Sequence, residues 1–263
     1  MASVTIDKRQ KANGEYSYRC TVRVKKNGVI IHRESKTFSK KVESKTLMLD
    51  FLDVPQDRAV RKRPGAYDSY LFGNGNQKVK VVLLDTRSFQ DVLERNKSGT
   101  SRYKSNQGDI LGAAQWTWLE AELSKNDAAV VLIVSSIQVV AKDHGFEKWD
   151  NFPRSRQRLL DLVSHSSQKN IVFLSGDRHI AEVSKMDLAN VNYPLYDITS
   201  SGMTHSYEKA DEYNQFRVSK LIGLKNYGVL NFKWSEGSVD IGLKIKGNSG
   251  QDLIDYNLGL FSY

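Results

Sequence analysis

Two kinds of hydrophobic pattern divide this chain. From Gly14 to Val24 apolar and polar residues alternate, with Tyr16, Tyr18, Cys20, Val22 and Val24 on one side and Ser17, Arg19, Thr21 and Arg23 on the other. A period of two predicts a half-buried strand. The Asn27-Gly28 pair that follows favours a tight hairpin turn, and Val29–Phe38 reads as the return strand. With Val4–Ile6 ahead of an Asn13-Gly14 turn, the segment predicts a three-stranded antiparallel sheet. Further on the pattern changes. Val79–Arg87, Ala129–Ser136 and Asn170–His179 are continuous apolar runs that end in polar residues. Such runs predict strands buried on both faces, and their polar C-terminal ends are where α/β sites gather. Between them, Leu111–Leu123 and Arg156–Ser164 carry apolar residues at helical spacing and predict covering helices. Asn226–Trp234 and Val239–Ile245, joined through Glu236-Gly237, alternate and predict an antiparallel hairpin.

Charge sharpens the division. The 263 residues carry a net +9, and residues 1–46 hold 12 Lys and Arg against 4 acids, which is +8. The boundary is therefore placed at residue 46, giving a basic module over 1–46 and an α/β domain over 47–263. One cysteine, Cys20, excludes an internal disulfide and a cysteine-based zinc cage. The longest apolar run, Ala128–Val134, is far short of the ~20 residues that cross a bilayer. The polar stretch Asp7–Arg19 does not read as a signal peptide, so the expectation is a cytoplasmic location without membrane attachment.

A sheet with a cationic face can enter the DNA major groove, where Arg and Lys read base edges or anchor phosphates. Arg19, Arg23, Lys25 and Arg33 are the candidate DNA contacts. The alternative is a solvated basic hairpin without nucleic acid. The stretches Thr5–Arg9, Tyr16–Arg19, Val22–Gly28 and His32–Lys40 resemble the arm-type DNA-binding module of tyrosine recombinases, as in phage integrases. That resemblance implies duplex DNA as a partner.

The chemistry concentrates at Ser175-Gly-Asp-Arg-His179, which leaves a strand at a glycine turn. Asp177 and His179 can offer an oxygen and a nitrogen to one cation. The Ser-Gly pair lets backbone approach an anion closely. The bland reading is a polar loop with a paired Asp and Arg.

Several ordered stretches weigh against the bland reading. They are Leu49–Pro55, Arg63–Tyr70, Leu83–Arg87, Gly112–Leu119, Ser135–Gln138, His144–Pro153, Ser175–His179 and Thr199–His205. Together they resemble the C-terminal half of the PhoD-like alkaline phosphatases, a branch of the calcineurin-like metallophosphoesterases. The resemblance implies a two-sheet α/β sandwich with flanking helices, and metal-dependent hydrolysis of phosphate mono- or diesters with iron and calcium as cofactors. It implies Asp177 and His179 as metal ligands and, with Arg178, as catalytic residues. Asp85, Arg87, Trp149, Asp150 and His205 would line or brace the phosphate side of the cleft. Family members are often exported. The family's earlier motifs, a Gly-Ser-Cys strand, Gly-Asp-x-x-Tyr and Trp-Asp-Asp-His, do not occur in this sequence. The expectation is a truncated phosphatase with an impaired site, or an inert phosphatase remnant joined to a DNA-binding module, or a rearranged gene product without a selected function.

Overall fold

A computed structural model describes residues 2–10, 12–13, 15–26, 29–38, 41–97, 99 and 101–263, with side chains of 2–10, 22–26, 29–32 and 41–44 left undescribed. The Asn27-Gly28 turn, Gly14, and the side chains of Arg23 and Lys25 lie outside the described residues. The chain divides into two compact units, 1–66 and 67–263.

In the first unit, β1 (Ala2–Gln10) pairs antiparallel with β2 (Tyr16–Lys26), and β2 with β3 (Val29–Phe38). The predicted three-stranded sheet is present. Helix α1 (Lys41–Phe51) packs against β2 and β3 and runs across residue 46, where the charge pattern placed a boundary. The unit continues to Ala66 for a local reason. Lys45 of α1 is 7% exposed, and its ammonium donates to the carbonyls of Val60 and Arg63 at 2.8 and 2.5 Å. Val60 belongs to α2 (Ala59–Lys62), whose Arg61 pairs with Asp50 at 2.7 Å. These contacts hold segment 47–66 to α1.

The predicted open cationic face is not realised at the middle of β2. Cys20 is fully buried, as the pattern requires, but Ser17 and Thr21 from the other side are only 8% and 3% exposed. Thr21 and Ser35 hydroxyls hydrogen-bond at 3.0 Å across the β2–β3 register. Arg19 is half-buried, and Arg33 is exposed. The alternation marked one buried side only, and it carried no sign that Ser17 and Thr21 would be buried on the second.

The second unit is built on a six-stranded mixed sheet, in the order β4-β5-β6-β7-β9-β8. Its strands are β4 (Asp68–Asn74), β5 (Gln77–Leu83), β6 (Val130–Val134), β7 (Ile171–Ser175), β8 (Ala181–Met186) and β9 (Leu195–Ser200). β5, β6, β7 and β9 run parallel, and the two outer strands are antiparallel to their neighbours. Gly73, at φ +96°, closes the β4–β5 turn, where a Cβ would sit 2.1 Å from the Gln77 carbonyl oxygen.

The apolar strands supply two cores. Val131, Ile133, Ile171 and Phe173 join Trp116, Leu119 and Leu159 from α3 (Ala113–Leu123) and α4 (Pro153–Ser164). The alternate residues Val130, Leu132 and Val172 meet Val239, Ile241, Leu243 and Ile245. Those belong to a second, antiparallel sheet of β10 (Asn226–Ser235), β11 (Ser238–Gly247) and β12 (Asp252–Ser262). A strand with no polar side serves two layers at once. Each fully buried Val, Leu or Ile contributes about 1.5–3 kcal/mol, which makes this double core the main stabilising term of the unit.

One carboxylate fastens the helix layer. Asp109 accepts from the Gly112 N–H at 2.8 Å, the Trp116 indole at 2.7 Å and the Ser155 hydroxyl at 2.9 Å. Burial raises its pKa, but these donors outweigh burial and hold it below the usual carboxylate range. The start of α3 and the start of α4 are thereby tied to one point. Among the described residues no helix is long and apolar enough to cross a membrane.

Candidate functional site

The three predicted strands end side by side, so the polar residues beyond β5, β6 and β7 converge. Beyond β7 the chain turns sharply. Asp177 and His179 both adopt left-handed φ, at 67° and 55°. This conformation is costly for residues with a Cβ and collects at functional sites. Arg178 between them points inward. It is 2% exposed, pairs with Glu212, and lies 3.6 Å from the centre of the Phe146 ring. The buried arginine anchors the loop while its two neighbours face outward.

On the outer side, Arg87 joins the strand ends. Its guanidinium reaches Asp177 at 3.3 Å and both Glu147 oxygens at 2.8 and 2.9 Å. Gln90 donates to the same Glu147 at 2.6 Å. Asp85 shapes the segment that presents Arg87, accepting the Arg87 and Ser88 N–H groups at 3.1 and 2.8 Å. The Asp85 backbone is in turn clamped by Gln115 of α3, which bonds its N–H at 2.8 Å and its carbonyl at 3.0 Å. The His179 ring lies 5.9 Å from that of His205 and 5.3 Å from that of Tyr207.

On the inner side lies a buried polar network. Gln138 donates to Glu182 at 2.7 Å and to the Thr199 hydroxyl at 2.8 Å, and Thr199 pairs with Ser175 at 2.8 Å. Glu182 also accepts from Asn214 at 2.9 Å and pairs with Arg217. Asp197 accepts the Val139 and Val140 N–H groups at 2.8 and 3.0 Å, while complete burial pushes its pKa up. His144 accepts the Phe146 N–H at 3.2 Å on Nδ1, which places its proton on Nε2. Burial lowers its pKa to about 3, helped by the positive charges of Arg178, Lys148 and Arg217. Burial also lowers the Lys148 pKa, and its ammonium donates to the His144 carbonyl at 2.7 Å.

Of the sequence candidates, the structure brings together Asp85, Arg87, Asp177, His179 and His205. Arg178 is adjacent in sequence, but its guanidinium is committed to Glu212 and Phe146, so it is not presented to a phosphate. Its role is to position the loop. Trp149 is fully buried, with its indole donating to Ser135 at 2.9 Å, and so braces the site without lining it. Asp150 is half-buried in the short 3-10 turn Trp149–Asn151. Glu147, Tyr207, Glu182 and Glu212 were missed by sequence reasoning. Glu147 lies inside the quoted His144–Pro153 stretch, and Glu182 follows His179 by three residues, so their proximity to motifs was the available signal.

The resemblance implies an iron–calcium cluster. Among the described residues no group of three or more His, Cys, Asp or Glu side chains gathers where it could hold a metal ion. Asp177 and His179 offer two donors, and the carboxylate of Asp177 is already in contact with Arg87. A binuclear centre needs more ligands than this, since even one zinc ion in a catalytic site takes about three from protein. The described residues do not fit a metal pair.

Comparison with known proteins follows the same residues. The PhoD-like phosphatase family profile matches residues 48–233. The chain is 24% identical over 131 residues to alkaline phosphatase D of Bacillus subtilis (strain 168), an alignment covering 46% of this chain and 22% of that protein. A solved structure titled "Structure of PhoD" superposes with a TM-score of 0.53 at 16% identity, over 81% of this chain and 47% of that one. The chain thus spans less than half the length of either relative. The likeness to the solved structure concerns the fold, a mixed central sheet with additional antiparallel strands. With the profile covering most of its length, this chain belongs to the PhoD-like phosphatase family.

Proposed function

We propose that this chain binds phosphate esters at the loop beyond β7 and, alone, hydrolyses them only weakly. The observation that carries the reading is the presentation of Asp177 and His179 on left-handed backbone, with Arg87 in contact with Asp177. A guanidinium with exposed donors recognises phosphate oxygens in a planar, two-point manner. His179, on the same turn, can donate to a phosphate oxygen or to the leaving oxygen. Metals serve the PhoD-like phosphatases as Lewis acids, and a pair of ions clamps attacking and leaving oxygens together. The described residues do not complete such a pair, so the rate gain that it supplies is not expected from this chain on its own.

The test is hydrolysis of p-nitrophenyl phosphate and bis-p-nitrophenyl phosphate by the purified chain, with iron, calcium, manganese or zinc added. Rates close to the metal-only blank, unchanged by His179→Ala, are expected. Hydrolysis well above the blank that His179→Ala abolishes would show a complete centre and overturn the weak-site reading.

A second reading concerns the first unit, where +8 of net charge within 46 residues accompanies an antiparallel sheet with Arg33 exposed. It is a duplex-DNA contact through phosphates. Affinity should then fall with salt at a log–log slope of about −0.9 per neutralised phosphate. Absence of binding at low salt would remove this reading.

A further inference from the structure

Beside the outward-facing loop lies a cleft of about 650 Å³, lined by Arg102, Phe146 and the segment Ser206–Glu212. That volume falls within the range of small-molecule sites, roughly 300–1,000 Å³. We propose that this cleft receives the leaving group of the phosphate ester, and that it selects a planar aromatic alcohol. The proposal rests on the phosphate-ester reading above and extends it to the substrate class.

Two observations lead there. First, the cleft begins where the site loop ends. Tyr207 donates its N–H to the His179 carbonyl at 3.0 Å, its ring lies 5.3 Å from the imidazole, and it remains 48% exposed. A group attached to a phosphate held at Arg87 beside His179 would leave the loop past this ring.

Second, the surfaces suit a flat ring. Phe146 is held by two guanidinium groups, Arg178 at 3.6 Å and Arg102 at 4.2 Å from the ring centre. Arg102 is fixed in turn by its N–H, which donates to the Gly145 carbonyl at 2.8 Å. Guanidinium planes and tyrosine rings both stack on aromatic faces.

Non-hydrolysable probes separate this pocket from the phosphate subsite. In benzylphosphonate a methylene replaces the ester oxygen of phenyl phosphate, and cyclohexylmethylphosphonate keeps the bulk without the flat ring. Calorimetric titration of the full chain is expected to show benzylphosphonate binding about 10-fold tighter, the scale of one aromatic stacking contact. Tyr207→Ala and, separately, Arg102→Ala should bring the two ligands within about 2-fold, chiefly by weakening benzylphosphonate. Equal affinity for both probes, unmoved by either substitution, would overturn the pocket and leave phosphate-ester binding intact. If neither phosphonate binds but benzyl alcohol does so in a Tyr207-dependent way, by saturation-transfer NMR, the pocket stands and the phosphate reading falls. If benzyl alcohol also fails to bind, the pocket falls too.

Discussion

The two sides of the loop Ser175–His179 are built on opposite principles. Behind it, Gln138, Glu182, Ser184, Thr199 and Asn214 are 5% exposed or less, and each is hydrogen-bonded to another member of the group. In front, the Arg87 and Asp177 side chains are 48% and 42% exposed, and His205 lies open. A buried network in a low dielectric is strong when complete and costly when broken, whereas exposed charges are screened and individually weak. The fold therefore spends its interaction energy on holding the loop's shape, and leaves the groups that would meet a substrate free to change partners.

This contrast can be broken most severely at its centre. Glu182→Ala removes the acceptor shared by Gln138, Asn214 and Arg217, and strands a partly buried guanidinium. A loss of about 3–5 kcal/mol is expected, read as a lower urea midpoint. A loss below about 1 kcal/mol would mean that the network does not carry the loop.

A smaller effect follows from pH. His144 is neutral in the folded chain, with a pKa of about 3 against an ordinary 6.5. The unfolded chain binds the proton first, so the stability that His144 contributes is fully present above pH 6.5. It is lost as pH falls toward 3. The expected slope from this group is about 1.4 kcal/mol per pH unit within that window. The slope should flatten in His144→Phe, followed by denaturant titration between pH 7 and 4, after allowance for the carboxylates in the parent chain. An unchanged slope would show that the imidazole is accessible to protons in the folded state.

The smallest effect belongs to the front. Arg87→Ala removes contacts with Glu147 and Asp177, yet its stability cost should stay below about 1 kcal/mol and shrink with added salt. A larger, salt-independent cost would erase the distinction between the two sides.

Much of the scaffold could be read from residue pattern. The runs Ala129–Ser136 and Asn170–His179 announced β6 (Val130–Val134) and β7 (Ile171–Ser175), because a strand buried on both faces has no polar side to confuse it. Helices α3 and α4 and the β10–β11 hairpin followed from periodicity. β8 could not be seen that way. It places Glu182 and Ser184 in the interior, so its burial depends on partners at Asn214 and Arg217 that pattern does not connect. The site shows the same limit. Asp177, His179 and Arg87 stood out as chemical types at strand ends. The inward turn of Arg178 could not be read from the motif, because its partner Glu212 lies 34 positions away.

The buried Arg178 also bears on how the loop meets a ligand in time. With its middle residue locked beneath the surface, the turn carrying Asp177 and His179 is ordered before any ligand arrives, and its conformational entropy is already lost on folding. An encounter then needs no rearrangement of that turn, so association should approach a simple diffusional rate and selectivity should reside in how long a ligand stays. Loosening the anchor would slow arrival without removing any outward-facing group.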